Sequence, residues 1–275
     1  MTNDDGVDSQ GLHVLAASVS GLGEVVVAAP DREYSGASAA LGTLYRMQPE
    51  MHRFSVEGAD QAWAVSGPPA LCVLFARLGA FGPPFDLVVA GINPGANVGR
   101  SVYHSGTVGA AITARNGKMT GVAVSQAVKD IGVEGQGWDE MIEGQCWDSA
   151  GAVAARVVGS LVAEPPAQPV VINLNVPNLA LDDMAGWSYT SLGRTPREVG
   201  GVRLEPKAGH PGSFRVRMTW GDPVALAPDS DGGAVQRGLV SVTFLGGLGE
   251  AHPSQAPAVG EALSGLLPPS APPGR

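Results

Sequence analysis

Phe85-Asp86-Leu87-Val88-Val89-Ala90-Gly91 is a short, almost continuously apolar run, and it passes into Ile92-Asn93-Pro94-Gly95-Ala96-Asn97-Val98-Gly99-Arg100, a stretch too rich in glycine and proline to be regular. An apolar run of this length without polar alternation reads as a parallel strand covered on both faces. Upstream, Pro68 and Pro69 open a helix that runs through Leu78, with proline in the first turn, where its missing N–H is tolerated. Downstream, Ser105 to Arg115 reads as a helix entered through Ser-Gly-Thr. Strand and helix alternate further out: a helix over Gly11 to Leu22, a buried strand over Glu24 to Ala29, strand-like stretches over Met51 to Val56 and Ala62 to Val65, strands over Gly121 to Gln126 and Pro169 to Asn173, and an alanine-rich helix over Ser149 to Ala163 between those two. The pattern is that of an α/β protein with a Rossmann-like, doubly wound, mostly parallel sheet.

Beyond Pro177 the pattern changes. Trp187 to Leu192, Phe214 to Trp220 and Leu239 to Leu245 alternate like antiparallel strands. The expected organisation is a catalytic core over 1–180, a β-rich extension or oligomerisation arm over 181–250, a C-terminal helix over 251–267 and a disordered, proline-rich tail over 268–275. Gln126 to Trp147 fits no recognisable pattern.

With 17 Lys and Arg against 26 Asp and Glu, the net charge of −9 argues against a nucleic-acid duplex as partner. No run of about 18 apolar residues occurs, so no membrane helix is expected, and no charged-then-apolar leader opens the sequence. The two cysteines, Cys72 and Cys146, are too few for a disulfide framework and lack zinc-site spacing, which fits a cytoplasmic protein. The 39 glycines and 22 prolines suit a protein with many tight loops.

Four loops carry small oxygen donors, and in a doubly wound sheet such loops converge at the carboxyl edge, where ligands bind. They are Asn3-Asp4-Asp5-Gly6; Ser35-Gly36-Ala37-Ser38; Gly91-Ile92-Asn93 with Asn97 a turn further on; and Ser105-Gly106-Thr107. Both Asp4 and Asp5 reach one ion only if the backbone turns there, which Gly6 permits. Two carboxylates, a hydroxyl and a carboxamide form an all-oxygen set suited to a hard divalent cation. Such an ion polarises a phosphoryl oxygen and activates water, while the N–H groups at the Ser105-Gly106-Thr107 helix entrance bind phosphate. Phosphate ester hydrolysis is the expected reaction. Only Met1 and Thr2 precede the acidic turn, so the strand expected there is lost or begins upstream, and the sheet centre is expected to be open.

The same motifs, Thr2-Asn3-Asp4-Asp5-Gly6, Ala29-Pro30-Asp31-Arg32 with Ser35-Gly36-Ala37-Ser38, Gly91 to Gly99, and Ser105-Gly106-Thr107-Val108, resemble in order and spacing those of the SurE family, the stationary-phase survival proteins. The resemblance runs to about residue 245. It implies 5′/3′-nucleotidase activity on nucleoside monophosphates and one Mg²⁺ or Mn²⁺ per subunit, held by Asp4, Asp5, Ser35 and Asn93. It also implies a phosphate pocket of Asn97, Ser105, Gly106 and Thr107, and a homodimer or homotetramer that exchanges a C-terminal β arm. The residues expected to carry catalysis are Asp4, Asp5, Asn97, Ser105 and Thr107. Arg100 and His104 depart from the family's habit of acidic or neutral residues and tyrosine, respectively.

Alternatives stand beside this reading. A haloacid-dehalogenase-type phosphatase spaces its aspartates one residue apart and needs a downstream lysine, whereas these are adjacent and no comparable lysine occurs. A degenerate metal- or nucleotide-binding protein without its first strand is the non-enzymatic alternative. Within the site, a covalent aspartyl-phosphate competes with metal-activated water. Asn97 either meets phosphate or braces its loop, and His104 is either a general acid or a bystander. His13, Arg32 and Arg100 read as packing or solvated residues, Cys72 as core, and Trp187 and Trp220 as subunit-interface residues.

Overall fold

A computed structural model of the chain describes residues 1–42, 48–128, 141–197, 199–247 and 258. In chain order the elements are α1 (Gln10–Val19), β1 (Val26–Pro30), β2 (Met51–Phe54), β3 (Gln61–Val65), α2 (Pro69–Arg77), β4 (Leu87–Pro94), a 3₁₀ turn (Gly99–Tyr103), α3 (Gly106–Asn116), β5 (Thr120–Gln126), α4 (Trp147–Ala163) and β6 (Val171–Val176). They are followed by β7 (Gly186–Tyr189), β8 (Val199–Pro206), β9 (Phe214–Trp220), α5 (Asp231–Gln236) and β10 (Leu239–Leu245). Residues Met1–Leu245 form one compact unit.

The sheet is built in two parts, β2-β3-β1 and β4-β5-β6-β10-β7. Met1 and Thr2 lie between them. The Thr2 N–H donates to Val89 O at 3.1 Å, Gly91 N–H donates to Thr2 O at 2.9 Å, and Ala28 N–H donates to Met1 O at 2.9 Å. The expected open centre is thus bridged at its carboxyl end. On the other side of this bridge, the space between β1 and β4 is a cavity of about 670 Å³ lined by Val26, Cys72, Val73, Phe85, Leu87 and Val158, among others.

β1 and β3 are parallel, as are β4, β5 and β6. α1 and α4 cover one face, burying Leu12, Leu15, Val19, Ala150, Ala154 and Val158 against Val27, Val122, Val124 and Leu174. α2 and α3 cover the other, burying Val73, Ala110 and Ala114 against Val88 and Ala90. Helices on both faces explain why β1, β5 and β6 are buried along their whole length. From Thr2 the chain crosses one face through α1 to β1, and from β3 it crosses the other through α2 to β4. The strand order therefore reverses at Thr2, and loops at the carboxyl ends splay apart there.

The strands after Pro177 divide into two groups. β10 joins the core sheet antiparallel to β6, and β7 pairs parallel with β10 rather than antiparallel. Among the described residues, only β8 and β9 form a separate antiparallel ribbon. The expected helix over 251–267, the tail over 268–275 and part of the unplaced Gln126–Trp147 segment lie outside the described residues.

Leu15 is fully buried where α1 meets the sheet and α4. Leu15→Ala is expected to lower stability by about 2–5 kcal/mol through lost burial and a residual cavity, read as a lower denaturant midpoint with an unchanged slope.

Candidate active site

The turn at Asp4 and Asp5 leaves the sheet beside the end of β4. Gly6 adopts a φ of +99°, and a Cβ there would stand 3.2 Å from the Arg32 backbone. A side chain there is therefore strained by the backbone conformation and crowded by Arg32. Asn3 braces the turn, its Nδ2 donating to Gly6 O at 2.9 Å and to Ser9 Oγ at 2.7 Å. Ser9 in turn caps α1.

Asp4 is buried and faces the start of α3. Gly106 N–H donates to Asp4 Oδ2 at 2.9 Å, and the Thr107 hydroxyl donates to Asp4 Oδ1. The approach is close: a Cβ on Gly106 would fall 2.8 Å from Asp4 Oδ2. A carboxylate at a helix N-terminus meets free N–H groups and the positive end of the dipole. Burial raises the Asp4 carboxyl above the ordinary carboxylate range, and the bonds from Thr107 pull it partly back.

Asp5 differs. Both of its carboxylate oxygens are closed off from solvent and have no hydrogen-bond partner. Burial, then the charges of Asp4 and Glu33, push its carboxyl well above the usual range. An adjacent pair of buried carboxylates, one with bare oxygens, is costly unless a cation answers it. Among the described residues no three His, Cys, Asp or Glu side chains cluster, so a cation here would meet two carboxylates and neutral oxygens. That donor set fits Mg²⁺ or Mn²⁺.

Tyr34 N–H donates to Asp4 O at 2.7 Å, which brings the loop carrying Ser35 alongside the acidic turn, and Ser35 itself is exposed. Asn93 sits at the end of β4, two residues past the Gly91 N–H that Thr2 holds, and its Nδ2 donates to Gly95 O at 2.7 Å. The Asn97 Nδ2 donates to Ser125 Oγ at 2.9 Å, and its second N–H remains free to donate. Ser105 is the N-cap of α3, its Oγ accepting Val108 N–H at 3.1 Å, which leaves the hydroxyl proton for another acceptor. Gly106 and Thr107, expected to line the phosphate pocket, donate to Asp4.

Sequence reasoning missed the braces behind Asn97. Asn173 and Asn175, buried on β6, both donate from Nδ2 to Asn97 O, at 2.9 and 3.1 Å. Polar residues two apart in an otherwise apolar strand were the available signal. His13 is engaged with Val7 O at 2.9 Å and packs edge-on against Phe54. His104 and Arg100 are exposed, Arg32 stacks over Tyr34, and burial pushes the Cys72 thiol up to about 12.

The family model described as "Survival protein SurE" matches residues 1–198. The chain belongs to the SurE family. It is 33% identical over 250 residues, 89% of this chain and 88% of the relative, to a protein of Erwinia tasmaniensis named 5'/3'-nucleotidase SurE. The crystal structure of the SurE protein from Aquifex aeolicus superposes with a TM-score of 0.73 at 26% identity, covering 95% of this chain and 98% of that one. The α/β fold with its mostly parallel sheet is thus that of a SurE protein.

Folded Asp4 and Asp5 bind protons more readily than they do in the unfolded chain, so the metal-free fold gains stability as pH falls toward their raised values and loses it as they ionise. Asp5→Asn is therefore expected to be more stable than wild type in chelator at about pH 7.5, by on the order of 1–3 kcal/mol, the cost of an unanswered buried polar group. The advantage shrinks as pH is lowered, and thermal midpoints across pH measure it.

Proposed function

We propose that the protein is a divalent-metal-dependent phosphomonoesterase that hydrolyses nucleoside 5′- and 3′-monophosphates. The observation that carries the reading is the bare, buried carboxylate of Asp5 beside the α3-held carboxylate of Asp4, in a family whose Erwinia relative is named a 5'/3'-nucleotidase. Asp4, Asp5, Ser35 and Asn93 would hold Mg²⁺ or Mn²⁺. When bound, the ion supplies Lewis-acid polarisation of a phosphoryl oxygen and acidifies water.

The protein's own groups supply the rest. Thr107 and Gly106 fix the orientation of Asp4, and each Asp4 oxygen keeps a lone pair beyond the one it spends on them. Asn97 donates its free amide N–H and Ser105 its hydroxyl proton to the phosphoryl oxygens, with the α3 dipole behind them. These donors are fixed before substrate arrives, because Ser125, Asn173 and Asn175 hold Asn97 and the helix cap holds Ser105. His104, exposed at the rim, is left outside the proton path. Were a covalent aspartyl-phosphate formed, Asp5 would carry it, since both Asp4 oxygens are engaged; rapid acid quench reads that outcome.

The apolar face of the β8–β9 ribbon, with Val202, Leu204, Phe214, Val216, Met218 and Trp220 all 45–63% exposed, supports a homo-oligomer that covers it. Two free cysteines fit a cytoplasmic enzyme. No helix among the described residues is long and apolar enough to cross a membrane.

Hydrolysis of nucleoside monophosphates is expected to require Mg²⁺ or Mn²⁺, to cease in chelator, and to fall by roughly three or more orders of magnitude in Asp5→Ala. Turnover unchanged by either treatment would remove the reading. Val216→Lys with Met218→Lys is expected to shift the molecule toward monomer in sedimentation analysis.

A further inference from the structure

Asp231, at the first position of α5, is completely buried, and its carboxylate accepts three backbone N–H groups. Gly99 donates to Oδ2 at 2.7 Å, and Gly193 and Gly232 donate to Oδ1 at 3.0 and 2.8 Å. These donors belong to three separate runs of chain. Gly99 ends the glycine-rich loop of the site and begins the 3₁₀ turn that leads to Ser105. Gly193 lies where the chain departs toward the β8–β9 ribbon. Gly232 lies just after it returns.

The first two runs touch backbone to backbone, and the second meets the third through the Ser230 side chain. A Cβ on Gly99 would stand 2.7 Å from Gly193 O and from the Arg194 carbonyl carbon, and one on Gly193 would stand 2.5 Å from Ser230 Cβ. Nothing bulkier than hydrogen fits at the crossing, and the buried carboxylate is what joins its members. Hydrogen bonds to an ionised acceptor are roughly twice as strong as neutral ones. Two residues before Gly99 stands Asn97, whose carbonyl is gripped by Asn173 and Asn175 and whose side chain is gripped by Ser125. Val98 between them is buried, 3.5 Å from where a Cβ on Gly232 would sit. The sheet therefore fixes one end of the loop and Asp231 fixes the other.

We propose that Asp231 is a positioning residue of the phosphate pocket. By holding Gly99, it sets Asn97 and Ser105 to face the same anion, and by holding Gly193 and Gly232 it makes that geometry depend on the root of the β8–β9 ribbon. The proposal rests on the reading of Asn97 and Ser105 as phosphate donors. The acidic turn shares the start of α3 with Ser105 but is also held by Asn3 and Thr2, whose partners are Gly6, Ser9, Val89 and Gly91, so cation binding is expected to depend on Asp231 far less than phosphate binding does.

Asp231→Asn is the test, because an amide keeps only one acceptor oxygen where two are in use and turns an N–H group toward a donor. The probes are inorganic phosphate, as an inhibitor in the presence of Mg²⁺, and Mn²⁺ alone, followed by its electron paramagnetic resonance. The phosphate inhibition constant is expected to rise, and kcat/KM to fall, by about 10–100-fold, the scale seen when a group that orients a ligand is removed. Mn²⁺ affinity is expected to stay within about twofold, and backbone amide exchange is expected to quicken over 95–104 but not over 1–30. A merely structural role would lower both affinities together with the folded fraction; that result, or phosphate inhibition unchanged from wild type, overturns the proposal. If Asp231→Asn does not fold, Ser230→Ala, which removes the cap accepting Gly233 N–H at 3.1 Å, applies a smaller displacement and must show the same separation of phosphate from Mn²⁺. Wild type that neither binds phosphate nor hydrolyses nucleotides removes the phosphatase reading itself, whereas wild type that does both, with an unaltered variant, removes only the role of Asp231.

Discussion

The contact between Asp4 and the first turn of α3 organises the molecule. It joins the centre of the sheet to a helix about a hundred residues later, and it does so with an ionised group away from water. The cost is offset by helix N–H groups that would otherwise lack partners. Once Asp4 is committed to the helix, Asp5 is forced to share the neighbourhood without any donor of its own. The site is therefore electrostatically unfinished by construction, and this is the feature on which the proposal of a hard cation rests.

The rest of the core exists to keep that contact still. Thr2 holds the acidic turn against β4, Asn3 and Ser9 fix its exit into α1, and Tyr34 brings the second loop alongside. The glycine-rich loop is braced from beneath by β6 and from the side by α5. Polar groups buried this deeply tolerate little displacement, because each lost partner leaves a desolvated atom behind.

Much of this could be read from the sequence. Unbroken apolar runs such as Leu87 to Ala90 and Gly121 to Val124 announced covered parallel strands, and the doubly wound order followed from their alternation with helices. That Asp4, Asn93, Asn97 and Ser105 stand on loops at one sheet edge was expected from placing each loop after a strand or at a helix entrance. What escaped was whatever depends on distant partners. β8 begins Val-Gly-Gly, and α5 is a six-residue helix with two adjacent glycines, so neither carries a local signal strong enough to stand out. The pairing of β7 and β10 with the core was likewise invisible, since alternation reports which face is buried but not which strand lies alongside. That Gly106 and Thr107 would spend their hydrogen bonds on Asp4 depends on a separation of some hundred residues that no spacing rule encodes.

The ribbon of β8 and β9 carries a further consequence. Among the described residues no third strand and no helix lies against the ribbon's apolar side, and two strands alone are marginal in water, so most of the free energy that orders them must come from whatever buries that side. If a second copy does so, ordering and association become a single equilibrium governed by mass action, and dilution loosens the ribbon while the parallel core stays intact.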